Sequence, residues 1–486
     1  MTGMILYSQR WFAFAHACFV VTAGCVLMGM PAVHAQPIAV ATEQVLSSPV
    51  PQAVGRFGVG VAGVPDLTGD GLGDVLVGAL LEDTPASDAG RAYVFDGATG
   101  QLLHELQSPQ PAANGLFGYA VRGLGDVTGD GLGDLVVGAR GEPAAIAEGR
   151  VYVFDGATGQ LVRTLVSPAP QASGFFGNSL GIVPDMDGDG MPEIAVGANE
   201  ENAVGSPAGA GRVHVFSGAT AGLLMSLQAP DERAGAWFGT SVDGVANVDG
   251  SGRGGVVVGA MFGGSQEPPE GRAYVFSHTG ALLYALSSPE LTGGGHFGVS
   301  VSGVPDADGD GRGDILVGAR LERASGAPEF AGRAFIFSGA TGSLLHALES
   351  PEPFMFGDFG YYVTGLSDVD GDGLGDVAVG AFQESQDGTL LPLAGRVHVY
   401  SGASGALLLT LDSPDPQADG RFGVRLLGVP GNASGGGVGL VVGAWHERPG
   451  ASAPLEAGRA WVFRFAGATA IRHGLWMEMG DARARP

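Results

Sequence analysis

The chain has 486 residues, 45% of them hydrophobic, and Gly is over-represented at 87. No Gly-X-Y triplet runs through it, so collagen and plain disorder are excluded, and a large core is within reach. Arg supplies all 24 basic residues against 50 acids, a formal charge of −26 that disfavours nucleic-acid and anionic-membrane partners.

In chain order, the first feature is an apolar run from Trp11 to Met30 after Arg10, closed by the small-residue stretch Pro31 to Ala35. Val33 and Ala35 occupy the −3 and −1 positions of a cleavage site, so residues 1–35 read as a secretory signal peptide. Cleavage removes both cysteines, Cys18 and Cys25, and also Arg10, taking the charge from −26 to −27. A retained membrane anchor and lipidation at Cys25 are the alternatives. A secreted or cell-surface location follows, with no stable membrane insertion after cleavage.

Beyond it, Phe-Gly recurs at Phe57, Phe117, Phe176, Phe238, Phe297, Phe359 and Phe422, at intervals of 59 to 63 residues. Each unit continues with an Asp/Gly-rich loop, then an apolar run ending Val-Gly-Ala. Gly-Arg with alternating apolar residues comes next, and in six units Leu-Leu-x-x-Leu-x-Ser/Ala-Pro closes the series. Short β-branched and aromatic runs between Gly, Asp and Pro clusters predict four strands per unit, a to d. Seven four-stranded antiparallel sheets arranged radially predict an all-β, seven-bladed β-propeller over 36–463. Unit seven lacks its fourth strand, and the missing copy stands at the other end as Glu43 to Pro49. Pro49 precedes Phe57 by the same eight residues seen in later units, so the N-terminal strand is expected to complete the last blade and remove the free edges. Residues 464–486 fall outside the pattern and read as a tail.

The loops between strands a and b carry the chemistry. Unit one has Asp66, Thr68, Asp70, Leu72 and Asp74 at alternate positions. Unit two has Asp126, Thr128, Asp130, Leu132 and Asp134; unit three has Asp185, Asp187, Asp189, Met191 and Glu193. Units five and six give Asp306, Asp308, Asp310, Arg312, Asp314 and Asp368, Asp370, Asp372, Leu374, Asp376. Hard cations such as Ca²⁺ take six to eight oxygens; alternate acids supply carboxylates, and position seven offers a backbone carbonyl. These loops hold 18 of the 50 acids, which ordinary turns do not require, so about five Ca²⁺ sites are expected. Unit four, from Asn247 to Gly255, retains one carboxylate, and Gly431 to Gly439 in unit seven has none.

These motifs resemble the FG-GAP repeats of the integrin alpha-chain propeller, over about Glu43 to Phe463. The resemblance implies Ca²⁺ in the Asp-rich loops on the lower face and ligand contacts from loops on the upper face. Two departures stand out. Pro is absent after Gly-Ala, where Leu80, Arg140, Asn199, Met261, Arg320, Phe382 or Trp445 stands. The first three loops are also rich in ligands while the seventh is bare, the reverse of the animal members' loading of later blades. A secreted integrin-like propeller is implied rather than an integrin heterodimer.

Variable b–c loops and the d–a loops share the upper face. Trp237, Phe354, Phe356, Phe382, Trp445 and His446 are the candidate contacts there for a protein or glycan ligand, with the chain a monomer. A Glu three residues after the Val-Gly-Ala alanine recurs in six units (Glu82 in the first), and an Arg opens strand c in all seven (Arg91 in the first); a repeated ion pair is expected. Arg312-Gly313-Asp314 resembles an adhesion tripeptide, but Asp314 already belongs to the fifth loop. Asn432 opens a glycosylation sequon ending at Ser434. No non-repeating acid, base or nucleophile group stands out, so a non-enzymatic binding module is favoured. A polysaccharide lyase or hydrolase and a purely structural envelope protein are the alternatives.

Overall fold

The structure, a computed structural model, describes residues 38–83, 85–264, 269–290, 294–385, 391–430 and 438–466. The signal-peptide segment, both cysteines, Asn432 with its sequon and residues 467–486 lie outside these residues. The described chain falls within a single compact unit, Ala35–Pro486. It is all-β, with seven separate four-stranded antiparallel sheets arranged as the blades of a β-propeller.

Blade one shows the plan: strand a Phe57–Val64, b Asp74–Ala79, c Arg91–Phe95 and d Leu102–Leu106, hydrogen-bonded in that order. Strands a to c are buried throughout, whereas strand d is exposed or half-buried except at Leu106, as the outer edge of a blade should be. Blade seven takes its strands a to c from Arg425–Val429, Gly439–Ala444 and Arg459–Ala466, and its fourth from Ala39–Leu46. The N-terminal strand therefore completes the last blade. It is longer than the repeat motif indicates: pairing runs from Leu46↔Ala460 to Ala39↔Ala466, and Phe465, beyond the Phe463 boundary, is 1% exposed.

The Phe-Gly and Val-Gly-Ala signatures are packing devices between blades. The Phe117 ring is fully buried and meets Tyr152 and Phe154 of its own blade at 5.9 and 6.0 Å. Its N–H donates to Ala89 O of blade one at 2.9 Å, and Gly90↔Phe117 is one of six parallel bridges of this kind. Gly118 sits at φ +88°, where a Cβ would stand 2.3 Å from Arg91 O; a Cβ on Gly78 would stand 2.0 Å from Gly118 O. Only residues without side chains let neighbouring blades approach this closely.

A second device joins the blades through buried polar groups. Glu82 is fully buried and accepts from Ser48 Oγ of the N-terminal strand segment and from Tyr93 Oη, each at 2.5 Å. The same pattern links Ser167 to Glu201 at 2.6 Å, Ser288 to Glu322 at 2.5 Å and Ser413 to Glu447. The second donor varies: His214 and His398 take the Tyr position and bond Glu201 and Glu384 at 3.0 Å, and Trp461 bonds Glu447 at 2.9 Å. The expected Glu–Arg pair is thus secondary. Arg91 bonds Glu105 on strand d, and only Arg333 and Arg459 come within 3.8 Å of the repeated Glu, among the described residues. The buried carboxylate takes short hydroxyl, imidazole or indole donors, while the longer Arg reaches outward to half-exposed acids. Blade four has Gly263 where the Glu would be, and its neighbour strand ends in Ala229 instead of Ser. The acceptor and its donor are missing together.

Candidate functional site: acidic loops and an arginine-lined opening

The a–b loops lie at one end of the blades, and their conformation follows from Asp side chains folding back on their own backbone. In loop six, Asp368 accepts from Gly371 N at 2.5 Å and Gly373 N at 2.9 Å; Asp372 accepts from Leu374 N at 2.8 Å. Asp370 accepts from Asp372 N at 3.1 Å. Asp376, at the start of strand b, accepts from Val369 N at 2.7 Å and from Gly402 N of the c–d turn at 3.1 Å. Loop one repeats this: Asp66 holds Gly69 N and Gly71 N at 2.6 and 2.8 Å, Asp70 holds Leu72 N at 2.7 Å, and Asp74 holds Leu67 N and Gly97 N at 2.7 and 2.8 Å.

Carboxylate oxygens converge to within 4.8 Å of one another in three of the loops: Asp185, Asp187, Asp189 and Glu193; Asp306, Asp308 and Asp314; and Asp368, Asp370 and Asp376. Asp310 and Asp372 stand outside those groups. In loops one and two, Thr68 and Thr128 replace the second acid and turn toward Asp66 and Asp126 at 3.3 and 3.4 Å, and no such group of three forms. Arg312 contributes its N–H to Asp310 Oδ1 at 2.9 Å, and its side chain leans over the neighbouring loop at Val248 O, 3.4 Å away. Leu72, Leu132, Met191 and Leu374 hold the same seventh position, each with its N–H bonded to the acid two residues earlier at 2.7 to 2.8 Å.

Burial and mutual repulsion raise the pKa of position nine in every acidic loop. Burial, the larger cause, with the flanking acids behind it, lifts Asp74 and Asp314 to about 7 and Asp134 to about 6. Glu193 and Asp376 rise to about 8 for the same reasons. Glu193 is fully buried and its Oε1 has no hydrogen-bond partner. A buried, unpaired carboxylate oxygen facing three more carboxylates is a donor set suited to a hard cation. In loop five, Asp314 is fully buried with both oxygens bonded, to Ala307 N at 2.7 Å and Gly339 N at 2.8 Å. The Arg312-Gly313-Asp314 tripeptide therefore does not present its carboxylate to another molecule.

At the opposite end, a cavity of about 340 Å³ opens at the centre of the ring. It is lined by the inner strands of several blades and by the residues that follow Val-Gly-Ala. Of the sequence-selected aromatics, Trp237 lines it and meets Phe262 edge-on at 5.0 Å. Phe382 is 6% exposed, packed on Tyr361 at 4.8 Å and covered by Arg421. Phe354 and Phe356 are 45% and 50% exposed on the d–a loop before blade six, where Phe356 stacks on Phe330 at 5.0 Å. Trp445 stacks on His446 at 5.8 Å, and His446 bonds Asp419 at 3.1 Å in a separate outer groove. The six residues thus belong to four places. Arg122, Arg140, Arg320 and Arg425, none of them among the contacts expected from the sequence, also line the central cavity. All four stand at positions where the repeat does not repeat, and that irregularity was the available signal.

Fold and loops together define a seven-bladed propeller of Phe-Gly/Gly-Ala units with acidic a–b loops. The FG-GAP repeat family matches residues 57–95, 117–154 and 176–216, the first three units. Integrin alpha-4 of Xenopus laevis is 36% identical over 152 residues, 29% of this chain and 14% of that protein. Integrin alpha-PS2 of Drosophila melanogaster is 37% identical over 168 residues, 30% of this chain and 12% of the relative. Human integrin alpha-IIb is 37% identical over 168 residues, 32% and 16% of the two chains. The chain carries FG-GAP repeats and is similar to integrin alpha chains in the propeller region, spanning 12 to 16% of the length of these relatives.

Proposed function

We propose that this chain is a secreted or cell-surface adhesion module, an integrin-alpha-like propeller that uses Ca²⁺ to hold its lower loops and its upper face to bind a ligand. The convergence of four acids around the unpartnered Glu193 oxygen is the observation that carries the metal half of this reading. Asp185, Asp187, Asp189 and Glu193 would hold the ion in loop three, and the matching acids of loops five and six would do so there. Asp66, Asp70, Asp74 and Asp126, Asp130, Asp134 would hold it in loops one and two, drawn together by the ion. Bound Ca²⁺ supplies positive charge that offsets carboxylate repulsion. Asp70, Asp370 and Asp372 bond the backbone through Oδ1 alone and leave Oδ2 for the ion, whereas Asp66, Asp314, Asp368 and Asp376 bond it through both oxygens, which the ion would have to share. Mg²⁺ fits less well, because it keeps several of its waters.

Similarity to proteins named as integrin alpha chains supports the adhesion half. The rigid blades and variable upper loops suit recognition of a protein or glycan by a monomer. Residues 1–35 would direct export. Among the described residues no helix is long and apolar enough to cross a membrane. The test is an array of extracellular-matrix proteins and glycans, probed with the purified chain in Ca²⁺ and in chelator. Ca²⁺-dependent capture of a defined ligand is expected. An array blank under both conditions, with a correctly folded protein, would sink the adhesion reading.

A further inference from the structure

The cavity at the upper centre carries charge opposite to the rest of the molecule. Within a chain of net charge −26, its lining contains four arginines, Arg122, Arg140, Arg320 and Arg425, and one acid, Glu200, among the described residues. Arg140 and Arg320 follow the Val-Gly-Ala of blades two and five and so stand at the rim. Arg425 lies on strand a of blade seven below the rim. Arg122, on strand a of blade two, lines both this cavity and a smaller one beneath it, and so forms the floor.

Arg140 and Arg425 have neutral partners, whereas Arg320 and Arg122 each have an acid nearby. Arg140 donates to Asn178 Oδ1 at 2.9 Å and lies 3.9 Å over the Tyr119 ring; both partners are neutral. Arg425 stacks over Tyr362 at 4.8 Å. Arg320 stacks over Tyr361 at 5.3 Å, with His296 Nδ1 at 3.4 Å and the Asp358 carboxylate 4.0 Å away. Arg122 donates to Val121 O at 3.0 Å, and Asp243, which sits among the floor residues, lies close enough to feel its charge. Two neighbours register the field. Burial would raise the Tyr362 hydroxyl, yet Arg122 and Arg425 bring it below the ordinary phenol range. Burial first, and then Arg320, push the His296 imidazole down to about 4.

We propose that this opening is a receptor for a single carboxylate side chain on an otherwise neutral peptide segment of a partner protein, clamped by Arg140, Arg320 and Arg425 between the rings of Tyr119, Tyr361, Tyr362 and Trp237. Guanidinium groups in a confined cavity form charge-assisted, bidentate bonds with carboxylate. About 340 Å³ lies at the low end for ligand sites and suits one or two side chains. The surrounding acidity selects among anions: a chain of many negative charges meets repulsion from the rest of the surface, whereas one carboxylate on an otherwise neutral segment is drawn to the centre. The proposal deepens the adhesion reading by naming the chemistry its upper face accepts.

The test is calorimetric titration, at fixed Ca²⁺ and low salt, with the pentapeptide acetyl-Gly-Gly-Asp-Gly-Gly-amide, its Asn counterpart and trigalacturonate. At least ten-fold tighter binding of the Asp peptide is expected. That preference should disappear in Arg140→Gln/Arg320→Gln, whose two changes lie at the rim; because Arg320 neighbours the buried Asp358 carboxylate, the variant's melting is measured alongside binding. Arg425→Gln provides a second variant should the first fold poorly. Equal binding of both peptides, or an Asp preference that survives in both variants, overturns the site. Trigalacturonate bound without the Asp peptide overturns the assignment to a protein partner. A matrix ligand captured on the array and retained by the arginine variants would leave the adhesion module standing while this site falls.

Discussion

Ser48 Oγ donates to Glu82 Oε1 at 2.5 Å, tying the strand that closes blade seven to the interior of blade one. Both groups are buried, at 5% and 0% exposure. Removing the donor leaves a buried carboxylate oxygen without its partner, a loss of about 1–3 kcal/mol. Ser48→Ala should lower the melting temperature measurably, and Ser413→Ala, which empties the equivalent bond to Glu447, should do the same. Ala229→Ser, where Gly263 leaves no acceptor, should give no gain. A stabilised Ala229→Ser variant would contradict this account of the bond.

Calcium should stabilise the chain by mass action, about 2.7 kcal/mol for each site at a hundred times its Kd. The loops are not equivalent. Asp187→Ala and Asp370→Ala each remove an acid from a group already converged within 4.8 Å. Each should abolish one ion in a metal count by mass spectrometry under native conditions. Thr68→Asp should strengthen loop one, by adding the acid that loops three, five and six have at that position. Unchanged ion counts in all three variants would remove these loops from the metal sites.

The raised pKa values make a pH prediction that metal should cancel. Glu193 and Asp376 rise to about 8 in the folded chain, and Asp74 and Asp314 to about 7, mainly through burial. Folding without metal therefore favours their protonated forms. Their contribution to stability is fully present below the ordinary carboxylate range and is lost as pH rises through about 7 to 8. In chelator, melting temperature should fall between pH 5 and pH 8. With Ca²⁺ in excess the ion replaces those protons, so folded and unfolded carboxylates are both deprotonated over the same interval and the slope should flatten. Parallel slopes in chelator and Ca²⁺ would refute the link.

Gly118→Ala should cost more than its size suggests. The added Cβ would meet Arg91 O at 2.3 Å and would hold a residue with a side chain at φ +88°. Two blades would have to separate, breaking the approach of Gly118 to Gly78. Gly129→Ala, at φ +84° but with open space around it, should carry only the backbone strain, about 1 kcal/mol or somewhat more. A comparison of the two by chemical denaturation separates the packing effect from the conformational one.

The seven units, their four strands and the closure by the N-terminal strand were legible because each rests on a spacing that recurs. The extent of that closure was not. The motif begins at Glu43, yet Val40 pairs with Phe465, which is set by the length of the last strand c rather than by any repeat. The acids of the a–b loops were legible by spacing, but which loops converge depends on side-chain directions, and a Thr at position three is enough to alter them. The Ser48–Glu82 bond joins residues of different blades. It emerges only once the sheets are stacked, although the joint absence at Ala229 and Gly263 carried the hint. The arginine-lined cavity was not legible, because Arg122 and Arg425 sit on inner strands whose motif looks like core.

The closing pair of strands also sets a timetable. Ala39 is made 427 residues (466 − 39) before its partner Ala466. At ~5–20 residues/s the interval is roughly 20–90 s, during which the first strand has no edge to join. Six blades can assemble from what has already emerged. The ring cannot close until the last strand c arrives, so the nascent protein passes through an open arc with two exposed edges. A chaperone that shields those edges would be needed only for that window.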